Sequence, residues 1–273
     1  MSSPTAVDLA RLAPQLADAV GEAGTLALRF YREGAQRWTK DDQSPVTEAD
    51  IAVDRFLRER LPQIEPAAWL SEETADTPER LEARRVWIVD PIDGTRAFIE
   101  RVPHWVVSVA LVEDGRPIAG VVLNPCSGEV YAAELGRGAR LDGRVLRVGD
   151  GAGLEGALVA GPRRLLDRLS GSGIRQAPWV HALANRFVRV AAGRLDAAIG
   201  GGDSHDWDIA AAHLILTEAG ARFTGFQGEV PIYNRPDPRH PALLAAGADR
   251  HPALLAALQP DAPAVIASQD APF

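Results

Sequence analysis

Hydrophobic positions at the start of the chain recur at helical spacing. Leu9, Leu12, Leu16, Val20, Ala23, Ala27 and Phe30 form one stripe between Ala6 and Tyr31, with Gly34 placed as a stop. This predicts a long N-terminal helix. Lys40 to Pro45 reads as a polar loop. Thr47-Glu48-Ala49-Asp50 then reads as an N-cap with a carboxylate at its third position, opening a helix that runs through Ile51, Phe56, Leu57 and Leu61 and ends at Pro62. Beyond it the pattern loses its helical period. Ala67 to Leu70 is a short apolar run, and Val86-Trp87-Ile88-Val89 is a buried-strand pattern that stops abruptly at Asp90-Pro91. Val106 to Val112 and Ile118 to Leu123, separated by the turn-type sequence Glu113 to Pro117, predict an antiparallel pair. Glu129 to Glu134 and Arg144 to Val148 are further strand candidates.

The second half reads as a strand at Ala157 to Ala160, a helix at Ala182 to Ala192, a strand at Leu195 to Ile199, and a long helix from Asp206 to Ala219. Ala242 to Ala246 and Pro252 to Leu258 are expected to form the last strand and helix. The glycine-rich stretch Gly149 to Gly156 is the expected boundary between two lobes. The tail after Pro260, rich in Ala, Pro, Asp and Ser, is expected to fray. Pattern alone gives a mixed α/β protein.

Composition narrows the function classes. With 46% hydrophobic and 24% charged residues, the 273-residue chain is an ordinary globular one. A net charge of −8 argues against a nucleic acid polymer or an anionic membrane as partner, since both call for a basic face. Cys126 stands alone, so neither an intrachain disulfide nor a cysteine zinc site is expected, and a cytoplasmic location is compatible. The N-terminal residues lack the pattern of a secretion signal, and no apolar run is long enough to span a bilayer.

The segment Asp90-Pro91-Ile92-Asp93-Gly94-Thr95 carries the most chemistry. Two carboxylates three residues apart at a strand end, with the Ile92 carbonyl between them, suit a hard divalent ion such as Mg²⁺, which prefers oxygen ligands. Gly94 lets the backbone approach an oxyanion, and a helix starting at Thr95 would add its amides. The plain alternative is that Asp90 and Asp93 only cap that helix. Further acids bear on this choice: Ser71-Glu72-Glu73 ends a short apolar run, and Asp206-Trp207-Asp208 heads a helix. Such a cluster of acids is unfavourable without cations.

Trp87-Ile88-Val89-Asp90-Pro91-Ile92-Asp93-Gly94-Thr95 resembles the first signature of the inositol monophosphatase family, and Trp207-Asp208-Ile209-Ala210-Ala211 its second. The resemblance spans about Ala6 to Gly247. It implies a layered αβαβα sandwich made of two closely packed lobes, about 1–150 and 151–260, with the site between them in one phosphatase domain. It also implies two or three Mg²⁺ ions. Glu72, Asp90 and the Ile92 carbonyl would hold the first, and Asp90, Asp93 and Asp208 the second. Thr95 and Glu72 would orient the attacking water. Asp50 would hydrogen-bond to Thr95, with helix capping as its structural alternative. The amides of Gly94 and Thr95 would hold the phosphate, beside Asp93 and Asp208. The implied reaction is direct hydrolysis at phosphorus without a phosphoenzyme. A homodimer and lithium sensitivity are implied by the same analogy.

Departures from the family pattern bear on the substrate, a small phosphate ester. Inositol-preferring members carry an acid seven positions before the second-signature Asp, where this chain has Gly201, with Asp203 nearby. Where members commonly have Gly-Ser or Gly-Thr, this chain has Val180-His181. Lys40 to Asp50, Leu70-Ser71-Glu72-Glu73-Thr74 and Thr95-Arg96-Ala97-Phe98 are most similar to the bacterial 3'(2'),5'-bisphosphate nucleotidase branch, which makes adenosine 3',5'-bisphosphate the expected substrate. Arg96 could contact a second phosphate or be an exposed helix arginine. Inositol 1-phosphate, histidinol phosphate and a non-catalytic scaffold role stay open. Gly151 to Gly156 spells a dinucleotide-binding motif, but an apolar run follows where a helix should start. His205 reads as a capping histidine rather than a base or ligand, and His213 as packed.

Overall fold

The computed structural model describes residues 9–40, 44–149 and 151–259, with side chains from Leu12 onward. The expected helix start at Ala6 and the expected tail lie outside them. Helix α1, Leu9–Glu33, ends where Gly34 takes φ +102° and donates its amide to the Phe30 carbonyl. A small hairpin, β1 (Arg37–Thr39) and β2 (Pro45–Thr47), leads into α2, Glu48–Arg60.

Seven strands then form one sheet in sequence order: β3 (Ala68–Ser71), β4 (Arg85–Asp93), β5 (Val106–Glu113), β6 (Arg116–Asn124), β7 (Glu129–Glu134), β8 (Gly138–Leu141) and β9 (Arg144–Val145). Only β3 and β4 run parallel. The short helix α3, Thr95–Ile99, leaves the end of β4. The expected strand at 144–148 pairs only over its first two residues, because Leu146 turns in and donates its amide to the Ala139 carbonyl.

The chain continues through β10 (Leu158–Ala160), α4 (Arg163–Leu166), β11 (Arg175–Gln176), α5 (Leu183–Ala191), β12 (Ala197–Gly200), β13 (Ser204–His205), α6 (Asp206–Glu218), β14 (Ala221–Gly225), β15 (Arg239–His240), β16 (Leu243–Gly247) and α7 (His251–Leu258). A second sheet has the order β11-β10-β12-β16-β14. Its edge strand β14 is absent from the sequence expectations, since it opens beside Gly220 and carries the exposed Arg222.

Side-chain alternation stacks these parts into five layers. Trp87, Val89, Val107, Val109 and Leu111 face α1 and α2, while Val86, Ile88, Ala110 and Val112 face α5 and α6. Both faces of the large sheet are therefore covered, which is why its central strands read as unbroken apolar runs. The second sheet packs Leu243 and Ala245 against α5 and α6, and Leu244 and Ala246 against α7. The expected αβαβα sandwich is what the chain forms. Helix α6 sits unusually close to the large sheet. A Cβ on Gly120 of β6 would come 3.0 Å from the Ala211 backbone, so any larger residue would require the helix to give way slightly.

Candidate active site

The acids at the end of β4 owe their placement to a bulge. Asp90 pairs with Ser108 and Asp93 with Val106, so three steps on one strand match two on the other. In a regular strand, residues three apart point to opposite faces. The extra residue cancels that alternation and turns both carboxylates to the face that Val106 shares with α5 and α6. Pro91 sits inside the bulge, where a missing N–H costs little.

Asp208 meets them from the first turn of α6. One carboxylate oxygen from each of Asp90, Asp93 and Asp208 lies within 4.8 Å of the other two. The reading of Asp90 and Asp93 as mere caps of α3 fails, because Gly94 occupies the N-cap with φ +92° and neither carboxylate caps that helix. Asp93 instead reaches α5, accepting the amides of Leu183 (2.9 Å) and Ala184 (2.6 Å). Asp90 accepts the Ile92 amide at 3.0 Å, and Asp208 that of His205 at 2.6 Å.

Burial and mutual repulsion make the trio reluctant to ionise. Burial first, then Glu72, Asp93 and Asp208, push the Asp90 carboxyl well above its ordinary value. Burial also raises Asp93 to about 7, against the opposing pull of the two α5 amides. Asp208 is raised by burial and then by Asp93. Oxygen ligands of this density, dry and like-charged, fit a hard divalent cation, whose charge would outweigh both the burial and the mutual repulsion.

Thr95 and Asp50 meet beside the trio. The Thr95 hydroxyl lies 3.1 Å from both Asp50 Oδ1 and the Ile92 carbonyl oxygen. Asp50 Oδ2 accepts the Thr47 amide at 2.9 Å and the Thr47 hydroxyl, so one carboxylate caps α2 and holds Thr95 as well. Burial raises Asp50 to about 6 against the Thr47 hydrogen bonds.

Glu72 stands apart from the 4.8 Å trio. Its Oε1 is 3.2 Å from Lys40 Nζ, which also lies 2.7 Å from Glu73 Oε1. The Ile92 carbonyl, the other expected ligand of the first ion, lies 3.1 Å from the Thr95 hydroxyl. Sequence reading placed Lys40 in a polar loop and in the nucleotidase-like stretch but did not foresee its contact with Glu72 and Glu73. It also gave no role to Asp206. That buried carboxylate lies 2.6 Å from His240 Nε2 and accepts the Asn234 amide at 2.7 Å, fixing the N-terminus of α6 that presents Asp208. His205 caps α6 through its backbone, with its ring stacked 4.5 Å from that of Trp207. His213 is packed, Nδ1 2.9 Å from the Tyr233 hydroxyl, and burial lowers its pKa to about 4. The stretch 151–156 leads into β10 rather than a helix, so the dinucleotide spelling is fortuitous. Among the described residues no helix is long and apolar enough to cross a membrane.

The comparisons agree with this geometry. The inositol monophosphatase family profile matches residues 8–264. An inositol-1-monophosphatase of Rhizobium meliloti is 32% identical over 231 residues, covering 78% of this chain and 85% of that protein. The 3'(2'),5'-bisphosphate nucleotidase CysQ of Aggregatibacter actinomycetemcomitans is 31% identical over 226 residues, covering 78% and 84%. The crystal structure of the extragenic suppressor protein suhB from Bartonella henselae superposes with a TM-score of 0.81 at 27% identity, covering 91% of this chain and 98% of that one.

Proposed function

The chain belongs to the inositol monophosphatase family of phosphatases, and from that premise we propose that it is a Mg²⁺-dependent hydrolase of a 3'(2'),5'-bisphosphate nucleotide. The observation that carries the catalytic reading is the bulge in β4, which sets Asp90 and Asp93 on one face beneath Asp208. The substrate reading is supported by the nucleotidase-like stretches around Lys40, Glu72 and Thr95, and by glycine at position 201, where inositol-preferring members carry an acid.

Asp90, Asp93 and Asp208 would hold one Mg²⁺, and Asp90, Glu72 and the Ile92 carbonyl another. When bound, the ions supply Lewis-acid stabilisation of phosphoryl oxygens and make water acidic enough to attack near neutral pH. The protein's own groups do the positioning. The Thr95 hydroxyl donates to Asp50, which leaves its lone pairs directed at the water, so that it can take a proton from the water as its own passes to the Asp50 carboxylate. Asp50 gains basicity from burial and so accepts Thr95's hydrogen strongly. Glu72 orients the same water once it leaves Lys40, and the amides of Gly94 and Thr95 receive the phosphate.

Phosphate release from adenosine 3',5'-bisphosphate, inositol 1-phosphate, histidinol phosphate and fructose 1,6-bisphosphate, each with Mg²⁺ and with EDTA, tests the reading. Mg²⁺-dependent preference for the nucleotide supports it; preference for another ester corrects the substrate. No release from any of them by the folded protein favours a binding or scaffold role. Homodimer formation, cytoplasmic residence and inhibition by Li⁺ belong to the same proposal. Light scattering, cell fractionation and a Li⁺ titration check them; a monomer, a membrane-bound pool or undiminished activity in Li⁺ would count against each in turn.

A further inference from the structure

Two rings stand on the loop that leads into the α5 amides bound to Asp93, and the phosphate chemistry leaves them unexplained. The loop entering α5 carries Trp179 and His181, with ring centroids 6.2 Å apart and planes at 80°. Arg186 fixes this loop from below. Its guanidinium is buried and donates through Nε and Nη2 to the Val180 carbonyl (3.3 and 2.7 Å) and through Nη1 to the Ile199 carbonyl (3.0 Å). All of these bonds go to carbonyls, and burial lowers the Arg186 pKa to about 10 despite Asp93 nearby. Burying a cation in this way is costly, and the return is a loop tied firmly to the end of β12.

The same guanidinium lies 4.3 Å from the Trp179 ring centroid and covers one face of the indole. The residue as a whole retains 49% exposure. The trio is close by. Ala182 Cβ is 3.1 Å from where a Cβ on Gly94 would stand, and the next two amides bind Asp93. Trp179 precedes Ala182 by three residues, which span at most about 11 Å of chain, so its backbone belongs to the loop that borders the acidic site. Past Ile199, the chain runs through Gly200, Gly201 and Gly202, which carry no side chains, before Asp203.

We propose that Trp179, with His181 at its edge, is a specificity-determining platform that stacks on a flat aromatic heterocycle in the leaving alcohol. The chain then favours phosphate esters bearing such a ring over esters of polyols. A rigid indole backed by a cation loses little freedom on binding and presents its open face to a nucleobase or an imidazole. The inference rests on the phosphatase reading and adds to it a reason for substrate choice.

The test compares wild type, W179A and W179F in Mg²⁺ on adenosine 3',5'-bisphosphate, histidinol phosphate and inositol 1-phosphate. The expected result is a fall of about tenfold in W179A in the ratio of kcat/KM for an aromatic ester to that for inositol 1-phosphate, carried by KM and largely restored in W179F. The aromatic ester that responds shows whether a base or an imidazole is the natural guest. An unchanged ratio overturns the platform while leaving the phosphatase reading intact. Failure of wild type to release phosphate from any ester overturns the phosphatase reading instead. Calorimetric binding of adenosine 5'-monophosphate and of histidinol then decides the platform without turnover. A loss of about tenfold in affinity for either in W179A supports it, and no binding or unchanged affinity for both overturns it.

Discussion

Replacing Asp90 by Asn should stabilise the metal-free protein and destroy its response to Mg²⁺. Two unit charges 4.8 Å apart at an effective dielectric of about 20 repel by about 3.5 kcal/mol. Asp90 has two such neighbours in Asp93 and Asp208, and feels Glu72 as well. In EDTA the wild-type trio escapes part of this repulsion by holding protons, so a net relief of about 2 kcal/mol is a reasonable scale. Asn keeps an oxygen for the Ile92 amide, so the bulge survives. A gain of about 2 kcal/mol corresponds to roughly 5 °C in Tm for a chain of this size. The sign with pH follows from the raised pKa values. Acids that hold protons more tightly when folded favour folding below their folded pKa and weaken it as pH rises from about 4 through about 7, the value for Asp93. The advantage of D90N should therefore be largest at pH 8 and shrink toward pH 5. Adding Mg²⁺ at 100 times its Kd should raise wild-type stability by about 2.7 kcal/mol and leave D90N nearly unmoved. Differential scanning fluorimetry at the two pH values, with EDTA or Mg²⁺, reads all of this. A D90N protein less stable than wild type in EDTA at pH 8, or equally stabilised by Mg²⁺, would refute the reasoning.

Thr95→Ala should lower kcat about a hundredfold or more while Mg²⁺ affinity stays within about twofold, since the hydroxyl serves the water rather than an ion; parallel kinetics and metal titration check this, and an equal loss of both would remove Thr95 from that role. Asp50→Asn should slow turnover and remove an acid limb from the pH profile. In wild type, activity should fall as pH drops through a value at or below about 6, because the carboxylate form is needed and nearby cations pull its pKa down; an identical acid limb in both proteins would rule Asp50 out. Asp206→Ala leaves His240 and the Asn234 amide without their buried partner and should cost about 3 kcal/mol, or roughly 8 °C in Tm; a shift within a degree would show that the α6 N-terminus is held otherwise.

What was legible in the sequence was what repetition spells out. Helices α1, α2 and α6 and strands β4 to β6 carry long runs or stripes, and Asp90, Asp93, Thr95 and Asp208 stand in short, specific motifs. The bulge was not legible as geometry. Pro91 hints at it, but the parity that places Asp93 on the same side as Asp90 depends on how many residues of β5 lie opposite. The second use of Asp93, as the acceptor for two α5 amides, links residues far apart in the chain and leaves no periodic trace. Lys40 and the Asp206–His240 pair escaped for the same reason: a lone charge shows its partner only in three dimensions. Strand β14 was missed because an edge strand of five residues with an exposed Arg has too little pattern to stand out.

The division of the acids between strand β4 and helix α6 has a consequence for how the protein is made. As the chain leaves the ribosome, Asp90 and Asp93 emerge with the first sheet, whereas the α5 amides and Asp208 come much later. Until then the nascent protein has two carboxylates in search of counter-charge and neither of the elements that steady them. An ion held by the completed trio would be captured late, and it would act as a clasp between helix α6 and strand β4.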